Sequence, residues 1–320
     1  MRPDTKDAVD CSAETEAKQL IALCRAGRLY KVEKWINEGR PLDISAATKR
    51  GRQRSLLEIA VETGFHSMVE LLAKRSDEPV KNAALAEAVS AHRLDLVELL
   101  VQYGADINSI SLADVLLDWE PKMIRFFLDR GADPIRGRPF AVAFGARIRT
   151  ALRPFLECKE PYPQLAPQLQ EQLDCALRHF CAEGGLKWIS LLIWAGGDPR
   201  SRGPSLEKDY TEDSECHTSG LEEACRSENA EVLKKLKPDP TRDNLALLLR
   251  EAAMWGRKTI LEYLLGFGVN PNDKPNGGSS ALDSALWNLN FSRFNPYSSG
   301  GLKSRYDVSN AFECLVACNG

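Results

Sequence analysis

Residues 88–108, AVSAHRLDLVELLVQYGADIN, contain the pattern that decides the fold. Apolar residues recur at helical spacing through LDLVELL, and the pattern ends at Gly104, before Ala-Asp-Ile-Asn. Residues 123–134, MIRFFLDRGADP, repeat this arrangement and end it at Gly131. A copied unit of this size predicts an array in which each copy is too small to bury its own apolar face and must pack on its neighbours.

Alignment of the chain on itself at Val97 finds eight further positions with the same apolar surroundings. The nine anchors are Val32, Val69, Val97, Ile124, Leu152, Ile189, Leu233, Leu261 and Phe312. Their spacings of 37, 28, 27, 28, 37, 44, 28 and 51 residues indicate a degenerate unit with insertions. Seven residues after the anchor, five copies have glycine, which predicts a left-handed residue at the end of each anchor helix: Gly39, Gly104, Gly131, Gly196 and Gly268.

A shorter helical pattern precedes each anchor, so every copy has a first helix and a second helix that carries the anchor. Three first helices open with a serine followed three residues later by an acid: Ser55 and Glu58, Ser219 and Glu222, Ser280 and Asp283. This spacing predicts a capping box, in which the hydroxyl and the acid each satisfy a backbone N–H at the helix start.

Three of the nine cysteines follow the same repeat. Cys24, Cys181 and Cys225 each lie eight residues before an anchor, where other copies have alanine or valine. A buried thiol behaves as a small apolar group, so these positions are predicted to be core. The N-terminal sequence has no apolar signal region and no apolar run reaches about 18 residues, so the sequence predicts free thiols, a cytoplasmic setting and no membrane span.

These features together resemble the ankyrin repeat family. LVELLVQYGADIN and IRFFLDRGADP are similar to the family's second helix and turn, and SLLEIAVETGFHSMVELL (55–72) is similar to its TPLHxAAxxGHxxVVxxLL core. The resemblance covers residues 18–320 in about nine degenerate repeats and implies an all-α, ankyrin-repeat solenoid of stacked helix-turn-helix units with irregular loops. The family's Thr-Pro-Leu-His tetrapeptide is intact in no copy.

The insertions predict the domain organisation. Residues 1–17 are expected to form a flexible N-terminal segment, and the array 18–320 could divide into subarrays 18–160 and 170–320 at a Pro-rich loop. Residues 158–172, 203–220 and 290–306 are predicted to be surface loops. Pro154 falls inside the predicted second helix of copy five and should disturb or shift it.

The sequence predicts no catalytic residue, metal or cofactor, and no enzymatic activity. Glu215-Cys216-His217 with Cys225, and the pair Cys314 and Cys318, do not match the spacing of a four-ligand zinc site. No glycine-rich phosphate loop is present in the sequence.

Arginines in three loops are the strongest candidates for a binding role. They are Arg50, Arg52 and Arg54, Arg136 and Arg138, and Arg200 and Arg202. In ankyrin-like arrays such loops line a groove with the first helices, so these arginines would suit an acidic segment of a partner. Solvated turn residues are the plainer interpretation.

Two tryptophans extend this hypothesis. Trp255 and Trp287 occupy first-helix positions that face the groove in the family, although a core role is equally consistent with the sequence. Trp35, Trp188 and Trp194 lie in second helices and are interpreted as packing residues.

The resemblance implies a protein–protein interaction module that acts as an adaptor, scaffold or targeting unit. One alternative is a regulatory or targeting domain of a larger enzyme or effector that continues past Gly320. Another is nucleic-acid binding through the arginines, which the net charge of −3 and the lack of interleaved aromatic residues disfavour.

Overall fold

The computed structural model describes residues 5–42, 45–47, 53–118, 120–159, 163–204, 206, 217–294 and 312–317. The chain forms two compact units, Met1–Pro139 and Phe140–Gly320. Each unit is a stack of helix pairs, so the described part of the chain has the all-α architecture of stacked helix pairs that the family resemblance implies.

The described residues of unit 1 form four helix pairs and one short hairpin. The elements are α1 Thr5–Arg25, α2 Leu29–Asn37, β1 Ser45–Ala47, β2 Gln53–Ser55, α3 Leu56–Thr63, α4 His66–Ala73, α5 Glu78–Ser90, α6 Leu94–Gln102, α7 Leu112–Leu117 and α8 Pro121–Asp129. First helices pack on first helices, α1 on α3 and α3 on α5, while α2 packs on α4 and α4 on α6. The strands β1 and β2 pair antiparallel.

Unit 2 continues the same arrangement. Its elements are α9 Pro139–Gly145, α10 Leu152–Lys159, α11 Ala166–Glu183, α12 Leu186–Trp194, β3 Arg202–Gly203, β4 Thr218–Ser219, α13 Gly220–Arg226, α14 Ala230–Leu236, α15 Leu245–Met254, α16 Lys258–Leu265 and α17 Ala281–Phe294, followed by helical residues 312–317. The first helices α11, α13, α15 and α17 stack in that order, as do the second helices α12, α14 and α16. The antiparallel strands β3 and β4 precede α13.

The anchors form the core of the helix pairs. Seven are fully buried, whereas Leu152 and Phe312 are half-buried. All five glycines after the anchors have positive φ, between +71° and +97°, which confirms the predicted left-handed helix ends.

All three predicted capping boxes are present. Ser55 accepts the N–H of Glu58 at 3.2 Å while the Glu58 carboxylate accepts the N–H of Ser55 at 2.8 Å. The same exchange joins Ser219 to Glu222 and Ser280 to Asp283. Each box satisfies two backbone donors that the helix start would otherwise leave unpaired, and so fixes where the first helix begins.

The aspartate of the Gly-Ala-Asp and Gly-Gly-Asp turns makes a second repeated contact. The backbone N–H of Asp106, Asp133 and Asp198 donates to a side-chain oxygen of Asn82, Asn108 and Asp174, respectively, at 2.8–3.0 Å. These bonds tie each turn to a polar side chain upstream. The sequence pattern contains this signal, because each donor lies nine residues after its anchor.

Pro154 shifts its helix as predicted. The helix α6 begins three residues before its anchor, whereas α10 begins at its anchor, Leu152, after a 3₁₀ turn at Arg149–Ala151. Pro154 therefore lies in the first turn of α10, where a backbone N–H has no partner within the helix.

The loop predictions need two corrections. In the 158–172 insertion the loop prediction is wrong from Ala166 onward, where α11 begins, with Pro167 in its first turn. The helix α17 extends to Phe294, so 290–294 is helical, and residues 295–306 lie outside the described part. The helix α1 begins at Thr5, and the flexibility of segment 1–17 stays a prediction. The division into subarrays 18–160 and 170–320 also stays a prediction, while the two compact units of the chain meet in sequence at 139/140. Of the predicted 203–220 loop, residues 205 and 207–216 lie outside the described part.

Among the described residues, no helix has the length and apolar character that a membrane span requires.

Candidate interaction surface

In unit 1, Arg54 joins two neighbouring copies. Its Nη1 lies 3.0 Å from the Glu62 carboxylate on α3, and its Nη2 lies 3.2 Å from the Glu87 carboxylate on α5. Arg54 is therefore an internal ion-pair partner of two first helices. Arg50 and Arg52 lie outside the described residues.

Arg136 and Arg138 follow α8 in a turn closed by Asp133. The Asp133 carboxylate accepts the backbone N–H of Ile135 at 2.8 Å and that of Arg136 at 3.3 Å. Arg136 is exposed, whereas Arg138 is half-buried and adopts a φ of +51°. The Arg136 side chain therefore remains a candidate for contact with a partner.

In unit 2, Arg200 is held by a carboxylate of its own chain. It donates from Nε and Nη2 to the two oxygens of Asp243, each at 2.8 Å. Asp243 is almost fully enclosed, and these hydrogen bonds raise the pKa of the Arg200 guanidinium above its ordinary value. A bidentate pair with a buried carboxylate is a strong structural contact.

Arg202 contacts its own chain but keeps exposed surface. Its Nη1 lies 3.0 Å from the buried Glu222 carboxylate, and its Nη2 donates to the His217 carbonyl at 2.9 Å. Burial raises the pKa of Glu222, while the Ser219 N–H and Arg202 oppose that rise. The Arg202 side chain remains 55% exposed.

These contacts give several of the predicted binding arginines a structural role within the chain. Arg54, Arg200 and Arg202 bind carboxylates of their own chain, so a partner's carboxylate would have to compete for them. Arg136 and Arg202 keep the exposure that a partner contact needs, and their role stays a prediction.

The tryptophans differ widely in how exposed they are. Trp287 on α17 is 61% exposed beside Leu286, which is 39% exposed, whereas Trp255 is half-buried with the Arg226 guanidinium 5.8 Å from its ring centre. Trp35 and Trp188 are buried, as expected of packing residues. The packing prediction is wrong for Trp194, which is 70% exposed at the end of α12, because Leu192 and Ala195 on either side of it are buried and Trp194 lies on the opposite face of that turn.

A buried charge network includes Arg226, the residue that contacts the Trp255 ring. Glu223 accepts from the Thr218 hydroxyl at 2.6 Å and from Arg226 at 3.1 Å. Arg226 also lies 3.4 Å from Glu251, which Arg250 approaches to 3.1 Å. The carboxylates are buried and the guanidiniums partly exposed, so the network ties α13 to α15 and has a polar outer edge. Sequence analysis missed it because its partners come from consecutive copies; the Arg226-to-Glu251 separation of about one repeat is the available signal.

One segment lies against the first helices of unit 2, and we call its described residues, 201–204 and 206, the strap. The Arg178 guanidinium on α11 is 1% exposed and donates to the carbonyls of Ser201 at 3.3 Å and Pro204 at 3.2 Å. Arg178 also forms an ion pair with Glu171. Leu206 lies against Gly145 of α9, where an added Cβ would be only 3.1 Å from Leu206 Cδ2.

The six described cysteines form no disulfide with one another, and the three predicted to be core are buried. Cys24, Cys158, Cys175, Cys181 and Cys225 are buried, and Cys314 is half-buried. Burial raises the pKa of Cys24 and of Cys158 to about 11. Within the described ranges, no cluster of three His, Cys, Asp or Glu side chains could hold a metal ion, and Cys216 and Cys318 fall outside them.

Two parts of the chain match models of ankyrin repeats. A model of ankyrin repeats in three copies matches residues 20–111, and a model of ankyrin repeats in many copies matches residues 249–295. The chain is 28% identical over 99 residues, 29% of its length, to the Drosophila melanogaster ankyrin repeat and KH domain-containing protein mask, and spans 2% of that protein. It is also similar to the crystal structure of the human ASB11 ankyrin repeat domain, with 14% identity, a TM-score of 0.30, and coverage of 94% of this chain and 97% of that chain.

The chain contains ankyrin repeats, matched over residues 20–111 and 249–295. Ankyrin repeats are in general protein-interaction modules, and the fold is typically non-catalytic.

Proposed function

We propose that the chain is an adaptor that binds a partner protein through the first helices of unit 2, with Trp287 as the apolar anchor. The observation that carries the proposal is the exposure of Trp287 and Leu286 side by side on α17. Tryptophan is enriched among the few residues that supply most of the binding energy at protein interfaces. An aromatic anchor with a polar rim is the usual anatomy of such a surface.

The elements that precede α17 carry partly exposed positive charge. Arg250 on α15 and Arg226 on α13 are about one-fifth exposed, and both contact the buried Glu251. Arg202 adds exposed positive surface at β3, although it also pairs with Glu222. These arginines support a partner segment that is apolar where it contacts α17 and acidic where it contacts α13 and α15.

A matched pair of tryptophan variants tests the anchor. Trp287 and Trp194 are both exposed in unit 2, but Trp287 lies on a first helix and Trp194 on a second helix. The purified chain, W287A and W194A would each be used for affinity capture from a lysate of the source cells, with the captured proteins quantified by mass spectrometry. We expect W287A to lose a defined protein by roughly tenfold or more, since loss of a hot-spot tryptophan costs about 2 kcal/mol or more. W194A should retain it.

The same capture experiment also tests the alternative binding hypotheses. Retention of every captured protein by W287A, or loss with W194A alone, would contradict binding through the first helices. Nucleic acid as the ligand would appear as capture that disappears after nuclease treatment and falls steeply with salt. Arg136→Glu and Arg202→Glu test the acidic-segment hypothesis, which requires at least one of them to weaken capture of the same protein.

A further inference from the structure

We propose that the strap is an internal ligand, which occupies the α9–α11 part of the binding face in the way a partner segment with glycine and, three residues later, leucine would. This inference builds on the proposed function, because it concerns the same row of first helices. It identifies the chemistry of the segment that this part of the face accepts.

Arg178 supplies the polar half of the recognition. Its Nε donates to the Pro204 carbonyl and its Nη1 to the Ser201 carbonyl, both in the strap. Its Nη2 pairs with the Glu171 carboxylate. Backbone carbonyls carry no side-chain identity, so a fully buried arginine in this role recognises an extended main chain. The strap's Arg202 and Gly203 also pair with Ser219 and Thr218 of β4, which adds strand-type hydrogen bonding.

Two glycines supply the shape selection. A Cβ at Gly203 would lie 2.5 Å from Arg178 Nη2 and 2.7 Å from Glu171 Oε1, so any other residue there would displace these hydrogen-bonded side chains. A Cβ at Gly145 would lie 3.1 Å from Leu206, so the bare backbone at the end of α9 makes room for a leucine-sized side chain. The selected pattern is a glycine followed three residues later by a leucine, which are Gly203 and Leu206 in this chain.

The burial of α11 shows that this part of the face is covered. Seven consecutive residues of α11, 172–178, are buried, which places contacts on every side of the helix. The first helix α15, which is separated from α11 by α13, differs, because Leu247, Arg250 and Met254 form a half-exposed stripe along it. Unit 2 therefore has a covered part at α11 and a more open part at α15.

A peptide-binding experiment tests the proposal. The probe is the fluorescein-labelled peptide PRSRGPSLE, the sequence of residues 199–207. The recipient is the full chain with residues 201–216 replaced by a Gly-Ser sequence of equal length, and fluorescence anisotropy is followed up to about 2 mM protein, the scale of the effective concentration of a tethered segment. We expect the replaced chain to bind the peptide at least tenfold more tightly than the original chain, in which the strap competes.

The controls make each outcome decisive. The peptide PRSRGPSDE, with aspartate at the position of Leu206, should lose at least tenfold in affinity. Binding to neither chain, equal binding to both, or equal binding of the two peptides would each overturn the proposal. Circular dichroism and thermal unfolding check the fold of the replaced chain, and Leu206→Asp in the full chain serves as the recipient if the replacement does not fold. Because no partner protein takes part, failure here leaves the Trp287 experiment unaffected.

Discussion

At the scale of single residues, glycine has two different roles in this array. Gly39 adopts a φ of +71° in open space, so conformation alone selects glycine there. Gly27 adopts a φ of +64°, and an added Cβ would lie 2.7 Å from the ring of Phe65, at the start of the next copy's second helix. Gly27 is therefore selected by conformation and by contact between copies.

This difference predicts unequal costs for the same substitution. Gly39→Ala should lower the free energy of unfolding by about 1 kcal/mol, the cost of a left-handed alanine. Gly27→Ala should cost about 2–4 kcal/mol, because overpacking against Phe65 adds about 1–3 kcal/mol. Urea unfolding midpoints of the two variants measure the difference, and equal midpoints would show that Phe65 yields without cost.

Residue-scale features were predictable where one copy contains the whole signal. The five left-handed glycines and the three capping boxes each depend on residues within one or two helical turns, so their spacing is visible in the sequence. The pairing of Arg200 with Asp243 joins residues 43 apart and has no local pattern. For that reason the sequence alone predicts that Arg200 is a loop cation available to a partner.

At the scale of elements, the prediction made from proline is wrong at Pro167 and correct at Pro154. The stretch 158–172 was predicted to be a loop because it is rich in proline and glutamine, yet Pro167 lies in the first turn of α11. Proline is well suited to that position, since its fixed φ matches the helix and its missing N–H is not needed. The last proline of a cluster is therefore as good a signal for a helix start as for a loop.

The start of α10 gives the element-scale prediction. Because Pro154 lies in the first turn, Pro154→Ala should change the free energy of unfolding by only about 1 kcal/mol, from lost backbone restriction and a small loss of buried surface. Glu98→Pro is the matched test in α6, at an exposed position well inside that helix, and should cost about 3 kcal/mol or more. Thermal unfolding of both variants measures this. A large loss for Pro154→Ala would mean that the proline has a role beyond starting α10.

At the scale of the whole molecule, periodicity in the sequence predicts which residues are inside but not what lies on the surface they build. The anchors and small first-helix positions recur in the repeat, so the core of each unit follows from spacing. The strap's contacts with Arg178 and Gly145 occur once and are contributed by an insertion between copies, so no repeat pattern contains them. Function in such an array depends on these unrepeated contacts.

The buried thiols give a prediction that tests the packing of the whole chain. A pKa of about 11 leaves about one thiol in a thousand ionised at pH 8 for Cys24 and Cys158, whereas an ordinary exposed cysteine with a pKa near 8.5 is about one-quarter ionised. Burial also blocks access, so Cys24, Cys158, Cys175, Cys181 and Cys225 should react with iodoacetamide at least about a hundredfold more slowly in the native protein than in urea. Peptide mass spectrometry after timed labelling reads each site, and the half-buried Cys314 should react faster than these five. Rapid native labelling of Cys181 or Cys225 would show that the first-helix core of unit 2 is open, and a mass two daltons low would reveal a disulfide in place of free thiols.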